Sequence, residues 1–121
     1  MPTMKVFDMI LMKPLRSSLT VPASNRRFLE KARTLRVDQL ILDLEDSVIR
    51  SEKNTARINV IETLSKGDFV SPIAVRINEI NSNLGIEDLA IIEHIAVDRP
   101  FSLVIPKVEK LQNIADICKR L

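Results

Sequence analysis

The stretch Gln39-Leu40-Ile41-Leu42-Asp43-Leu44-Glu45-Asp46 decides the fold, because it is a short apolar run closed by three carboxylates. Runs of this length, rich in Leu, Ile and Val, are typical of strands that are covered on both faces in a parallel sheet. Similar runs occur at residues 17–21, 73–77 and 102–105. Alternating strands and helical segments without hairpin turns predict a parallel α/β sheet.

The four segments that follow these strands carry apolar residues at the spacing of an α-helix. Ser24 or Asn25 is the expected N-cap of the first helix, and Gly67 is the expected end of the second. The predicted apolar faces consist of Phe28, Leu29, Ala32 and Leu35; Ala56, Val60, Ile61 and Leu64; Ile86, Leu89, Ala90 and Ile92 to Ala96; and Leu111, Ile114, Ala115, Cys118 and Leu121.

The spacing of the strands indicates which α/β fold this is. Successive strands begin 22, 34 and 29 residues apart. A (β/α)8 barrel of ~250 residues uses about 31 residues per strand–helix unit. The 121 residues therefore predict four units, the N-terminal half of a TIM (β/α)8 barrel, with residues 1–15 as a lead-in and residues 16–121 as the half-barrel. A flavodoxin-like sheet, which usually needs about five units, is the alternative.

Composition excludes several classes of function. A net charge of +2 and four Phe without Trp or Tyr give no reason to expect a nucleic-acid partner. The single cysteine, Cys118, excludes an internal disulfide and a cysteine-rich zinc site, and we expect it to pack on a helix face. Two glycines and one histidine argue against a Walker loop, a dinucleotide fingerprint and a Ser–His–Asp triad, and His94 is expected to be packed or on the surface.

No targeting or membrane segment is expected. The apolar patch from Met9 to Met12 is bracketed by Asp8 and Lys13 and is too short for a secretory signal. No run approaches the ~18 apolar residues that a membrane span needs. The sequence therefore predicts no membrane association and a cytoplasmic location.

Polar groups gather where the predicted strands end, which is where parallel α/β folds bind their ligands. These groups are residues 22–27, the acidic cluster at residues 43–46, Arg76 with Asn78, and residues 106–109. An acidic cluster after a strand can also cap a helix or pair with a nearby Lys. Arg76 interrupts the apolar run at residues 75–77, so it must either pair with Glu45 or Asp46 or bind the carboxylate of a substrate with its guanidinium fork.

Four stretches, residues 16–25 (RSSLTVPASN), 40–48 (LILDLEDSV), 75–78 (VRIN) and 105–109 (IPKVE), together resemble the HpcH/HpaI aldolase and citrate lyase β-subunit family. Lys53 and Arg57 also fit the family's usual helix start. The resemblance runs from Arg16 to the C-terminus, with the motifs in family order and at family spacing.

The resemblance implies a TIM-barrel carbon–carbon lyase with Mg²⁺ as cofactor. Its substrates would be citryl-, malyl- or methylmalyl-type thioesters of CoA or of an acyl-carrier protein, cleaved to or formed from a keto acid. Arg76 would bind the substrate carboxylate. The site residues implied are thus Arg76, Thr20, Asn25 and Lys31 for substrate, the last three for the CoA part, and Glu45 and Asp46 as catalytic residues that reach the metal through its waters.

The sequence departs from the family in three respects. Ala23 stands where the family usually has Gly, and Asn25 where many acyl-CoA members have Arg. The family's direct metal ligands, a Glu and an Asp, lie on the fifth and sixth strands, so we expect no direct metal ligand in this chain. We therefore expect a truncated or partner-dependent form of the lyase that is inactive in isolation.

Four parallel strands in an open sheet leave two edges without partners. We expect an apolar open face formed by Leu19, Val21, Leu40, Leu42, Val75 and Ile77, covered by another copy of the chain in a homo-oligomer or by a second half-barrel. The alternative is a non-catalytic half-barrel that serves as a binding or assembly module.

Overall fold

The computed structural model describes residues 14–95 and 99–120, and within them it has the predicted alternation of strands and helices. The elements are β1 (Ser18–Pro22), α1 (Arg26–Ala32), β2 (Gln39–Asp43), a 3₁₀ turn (Arg50–Glu52), α2 (Lys53–Lys66), β3 (Ile73–Arg76), α3 (Asn83–His94), β4 (Ser102–Val104) and α4 (Leu111–Arg120). The predicted lead-in up to residue 13, Ala96 and Leu121 lie outside the described residues.

The four strands form one parallel sheet in the order β1-β2-β3-β4. A flavodoxin-like sheet places its second strand outside its first, in the order 2-1-3, so that alternative is wrong. Strands that follow one another in a single direction are the arrangement of a (β/α)8 barrel. The predicted fold class, four βα units of a half TIM barrel, is confirmed.

The helices cover one face of this sheet. Leu40, Leu42 and Val75 are fully buried in a core that also includes Val60 of α2 and Leu89 of α3. Side chains alternate along a strand, so the intervening residues lie on the opposite face, which we call the open face. It consists of Ser18, Thr20, Pro22, Gln39, Ile41, Asp43, Ala74, Arg76, Ser102 and Val104.

The prediction of an apolar open face was wrong. Five of the six residues assigned to it are buried in the core, and Leu19 on the edge strand β1 is the exception. The reason is the register of the strands, because these residues point toward the helices. The open face is instead rich in small and polar side chains.

Asn25, one of the two predicted N-caps, and Gly67 are confirmed as caps, whereas three predicted helix faces need correction, the one in α3 because Ile86 is exposed. The Asn25 side chain accepts a hydrogen bond from the Phe28 N–H, and Gly67 ends α2 in the left-handed conformation. Helix α1 ends at Ala32, so Leu35 lies beyond it, and Phe28 and Leu35 are exposed. In α4 the core contact is made by Ile117, and Cys118 is exposed, contrary to its predicted packing.

His94 is exposed, in agreement with a surface position. None of the helices in the part of the chain that the structure describes is long and apolar enough to cross a membrane.

The two glycines predict different costs of substitution. A Cβ on Gly85 would lie 2.0 Å from the Glu79 carbonyl oxygen and 2.8 Å from that of Asn78, whereas a Cβ on Gly67 would meet nothing within 4 Å. We expect Gly85→Ala to lower the free energy of unfolding by about 3 kcal/mol, because backbone must move. Gly67→Ala should cost about 1 kcal/mol, for its positive φ alone.

Urea denaturation followed by circular dichroism measures both values. A loss in Gly85→Ala no larger than that in Gly67→Ala would contradict the close approach of α3 to the loop after β3.

Candidate functional site

The carboxyl ends of β2, β3 and β4 bring together the polar residues that the sequence places after these strands. Asp43 ends β2 and Arg76 ends β3, and the two are directly opposite in the parallel register. Glu45 and Lys107 follow β2 and β4 and contact one another. We call Asp43, Glu45, Arg76 and Lys107 the strand-end cluster.

The Asp43–Arg76 ion pair is the centre of the strand-end cluster. Arg76 donates from Nε to Oδ1 and from Nη2 to Oδ2 of Asp43, both at 2.7 Å. The Asp43 side chain is fully buried, and the Arg76 side chain is 28% exposed. Two hydrogen bonds in parallel fix the plane and direction of the guanidinium.

The other hydrogen bonds to Asp43 come from the loop that follows it. The backbone N–H groups of Glu45 and Ser47 each donate to Asp43 at 2.9 Å, and the Ser47 hydroxyl donates at 2.5 Å. Burial by itself would raise the pKa of Asp43, but the hydrogen bonds from Arg76, Ser47 and Glu45 outweigh it and hold that pKa well below its usual value. Asp43 is therefore an anion at neutral pH, and it organises the loop.

Glu45 connects the two cations of the strand-end cluster. Its Oε1 lies 3.6 Å from Arg76 Nε, and its Oε2 lies 3.2 Å from Lys107 Nζ. Contact with Glu45 and the nearby charge of Asp46 raise the pKa of Lys107. Asp46 itself is 69% exposed and lies 3.8 Å from Lys107. The three carboxylates of the acidic cluster thus differ: Asp43 and Glu45 are buried, and Asp46 faces solvent.

Arg76 has a different main partner from those considered in the sequence. The expected ion pair with Glu45 exists only as a long contact, and no contact between Arg76 and Asp46 is found in the described residues. Asp43 takes the Arg76 side chain because the two residues are neighbours in the register. Nη1 of Arg76 has no hydrogen-bond partner among the described residues, so the guanidinium can still bind a second carboxylate.

Lys53 fixes the loop beneath the strand-end cluster. Its ammonium donates to the carbonyl oxygens of Leu44 and Glu45 at 2.7 and 2.6 Å, and to the Asn78 side chain at 2.8 Å. These bonds use all three of its donors. Burial lowers the pKa of Lys53, against the attraction of the surrounding carboxylates. Lys53 therefore ties the end of β2 to the end of β3 and has no donor left for a ligand.

Asp88 is a buried residue that supports the strand-end cluster, and the sequence reasoning missed it. It accepts hydrogen bonds from the Asn78 N–H at 2.8 Å, from the Asn78 side chain at 2.7 Å and from Arg57 Nε at 2.7 Å. Arg57 also pairs with Glu87 at 2.7 Å. The available signal was the position of Asp88, which lies on the same helix face as Leu89 and Ile92, where a carboxylate needs a partner.

Thr20, Asn25 and Lys31, predicted to contact CoA, lie at the outer edge of the sheet. Thr20 and Lys31 are exposed and share a cavity of about 230 Å³ with Phe28 and Leu35. The Asn25 side chain is engaged in capping α1. The described hydrogen bonds and ion pairs do not join these three residues to the strand-end cluster.

The residues present fit a metal ion only through its waters. Within residues 14–95 and 99–120, no group of three or more His, Cys, Asp or Glu side chains could hold a metal. Glu45 Oε2 is buried, and its contact among the described residues is the ion pair with Lys107 Nζ at 3.2 Å, which leaves room for a second donor. A carboxylate oxygen of this kind suits a metal-bound water as donor.

Comparison with known proteins places this arrangement among a group of related enzymes. Residues 16–121 match the family described as HpcH/HpaI aldolase/citrate lyase. The human mitochondrial citramalyl-CoA lyase is 37% identical over 102 residues, covering 84% of this chain and 30% of that protein. The (3S)-malyl-CoA thioesterase of Cereibacter sphaeroides is 38% identical over 108 residues, covering 86% of this chain and 37% of that protein.

A solved structure agrees with the sequence comparison. The citrate lyase β subunit of M. tuberculosis complexed with oxaloacetate and magnesium superposes with a TM-score of 0.64 at 27% identity, over 83% of this chain and 42% of that chain. The chain spans about a third of the length of the two curated relatives. The resemblance seen in the four motifs is confirmed, whereas the cytoplasmic location stays a prediction.

The low pKa of Asp43 predicts how stability depends on pH. A depressed pKa in the folded state stabilises the protein above the pKa of an unfolded Asp, about 3.9, and this contribution is lost as pH falls below it. We expect Asp43→Asn to lower the free energy of unfolding by about 3 kcal/mol at pH 7, because Arg76 loses its buried partner. The difference from wild type should shrink below pH 4.

Urea titrations between pH 2 and pH 7 measure this difference. Asp46→Asn is the matched control, since it removes the same charge from the same loop at an exposed position. If the difference in free energy of unfolding between wild type and Asp43→Asn stays constant down to pH 2, the low pKa of Asp43 is contradicted.

Proposed function

The chain belongs to the HpcH/HpaI aldolase/citrate lyase family, and from this premise we propose that it supplies the carboxylate-binding half of a Mg²⁺-dependent carbon–carbon lyase. The proposed substrates are citryl- or malyl-type thioesters of CoA or of an acyl-carrier protein. Relatives named for citramalyl-CoA and malyl-CoA support the substrate class. The observation that carries the proposal is the side-on fixation of Arg76 by Asp43, which leaves Nη1 without a described partner.

The proposed role of Arg76 is to bind and orient a carboxylate. Asp43 occupies Nε and Nη2, so the guanidinium plane is set before a ligand arrives. The free Nη1 protons and the remaining Nη2 proton lie on the other edges of the same fork, which can engage a keto-acid carboxylate. Preorganisation of this kind lowers the entropy that binding must offset.

Glu45 and Asp46 are the proposed catalytic carboxylates. When bound, Mg²⁺ would polarise the keto or hydroxyl oxygen next to the bond that breaks. Glu45, whose buried Oε2 has the 3.2 Å contact with Lys107 as its described partner, would accept a further hydrogen bond from a water on that ion. Lys53 holds the loop that carries Glu45 and Asp46 through its two carbonyl contacts. Direct metal ligands would come from outside the described residues.

The thioester part of the substrate is proposed to lie near the end of β1. Thr20 and Lys31 border an open cavity there, and an exposed Lys suits the phosphates of CoA or of a carrier-protein prosthetic group. Asn25 would act by capping the helix that begins beside this cavity.

A binding or assembly module is the second candidate function. Large apolar side chains are exposed at both outer edges of the sheet, Phe28 and Leu35 beside β1 and Leu111 and Ile114 on α4. A second copy or a second half-barrel would cover them. Light scattering coupled to size-exclusion chromatography measures the mass: a dimer or larger species supports this candidate, and a monomer at high concentration contradicts it.

Arg76→Lys tests the proposed clamp. We expect it to weaken pyruvate binding at least about tenfold, because Lys keeps the charge and loses the bidentate fork. Isothermal titration measures the dissociation constant. Arg26→Lys is the matched control, since Arg26 is 66% exposed and pairs with Glu62 at the surface. Equal weakening in both variants would contradict a specific role of Arg76.

The metal is tested in the same titration by comparing Mg²⁺ with EDTA. Tighter binding with Mg²⁺ supports the lyase. Binding that is equal in both conditions would reduce this chain to an anion-binding module.

A further inference from the structure

Lys107 follows β4 with a backbone conformation that side chains rarely adopt. Its φ of 51° makes it the one non-glycine residue with a positive φ in the described part of the chain. Such conformations are unfavourable for residues other than Gly, and they concentrate at ligand sites. A strained backbone at the end of a strand therefore points to a role for the side chain.

The Lys107 ammonium has donors to spare. Nζ lies 3.2 Å from Glu45 Oε2 and 3.8 Å from Asp46 Oδ1, both beyond the usual length of a charge-assisted hydrogen bond, about 2.8 Å. The Lys107 side chain is 59% exposed. Glu45 is 6% exposed, and the contact of its Oε2 with Lys107 Nζ at 3.2 Å engages one of the three ammonium donors. The other two donors have no partner at hydrogen-bond distance among the described residues.

Glu45 also contacts both Lys107 and Arg76. One of its oxygens faces Lys107 Nζ and the other faces Arg76 Nε at 3.6 Å. A single carboxyl group thus lies between two cations carried by the neighbouring strands β3 and β4. Because Arg76 Nη1 is also without a described partner, both cations can accept an anionic ligand.

Most of the surrounding charged groups are already engaged within the protein. Asp43 is engaged by Arg76 and Ser47, and the donors of Lys53 are all used within the protein. Asp46 is the carboxylate that competes for Lys107, and its long contact at an exposed position is screened by solvent. Glu79, also exposed, acts on Lys107 through its charge only.

We infer that Lys107 is a specificity-determining contact for a second substrate carboxylate, so that the site prefers a short dicarboxylic keto acid to a monocarboxylic one. The inference rests on the proposed function, since Arg76 has to hold the first carboxylate. Lys107, which follows the neighbouring strand β4, would then donate to the second carboxylate.

Pyruvate and oxaloacetate test the inference, because they differ by one carboxylate. We expect isothermal titration of the full 121-residue chain to give about three- to tenfold tighter binding of oxaloacetate. Lys107→Gly should abolish this preference, because oxaloacetate binding should weaken more than pyruvate binding until the two dissociation constants are about equal. Gly adopts a φ of 51° without strain, so the thermal midpoint of the Lys107→Gly variant should equal or exceed that of wild type.

Two further variants sharpen the result. Lys107→Arg should keep the preference, because it keeps the cation, and Asp46→Asn should increase it about twofold by removing the competing carboxylate. A wild-type chain without a preference, or equal losses for both acids in Lys107→Gly, would overturn the inference alone. Pyruvate binding that survives Arg76→Lys, or a wild-type chain that binds neither acid, would overturn the proposed function and the inference with it.

Discussion

The ion pair between Asp43 and Arg76 is the constraint on which the strand-end cluster depends. A carboxylate and a guanidinium placed opposite each other in a parallel register join β2 to β3 where the backbone ladder ends. The pair is buried on the carboxylate side, so loss of either partner leaves an uncompensated charge. Three further hydrogen bonds to Asp43 add to it, two from the backbone N–H groups of Glu45 and Ser47 and one from the Ser47 hydroxyl. The same interaction therefore stabilises the sheet and presents Arg76 to a ligand.

A second network supports the cluster from the helix side. Lys53, Asn78, Asp88 and Arg57 form a continuous chain of hydrogen bonds from the loop after β2, through the end of β3, to α2 and α3. Every member is charged or polar, and each finds a partner, which is the condition for burying such groups. Lys53 and Arg57 hold the strand ends in place, and none of their contacts is with Arg76. The structural role of Lys53 and Arg57 thus accounts for their presence at the start of this helix.

Local sequence patterns predicted the fold more completely than they predicted the contacts of the site. The apolar runs placed every strand within about one residue, because Pro22, Asp43 and Pro106 end them. Asn25 and Gly67 were identified as caps because capping is decided within one turn. The Asp43–Arg76 and Arg57–Asp88 pairs join residues more than 30 positions apart, so they follow from register and helix packing. The left-handed Lys107 had no signal in the sequence, since its side chain gives no intrinsic preference for that conformation.

The two edge strands of the sheet bear on how readily this chain aggregates at high concentration. An exposed sheet edge is a template for pairing with other chains and hence for aggregation. Here β4 has only three residues, and β1 ends in Pro22, which has no N–H to offer. The β4 edge therefore cannot extend a long ladder of hydrogen bonds to a foreign strand, and Pro22 removes one donor from the β1 edge. Both features reduce the number of backbone groups with which a foreign strand can pair.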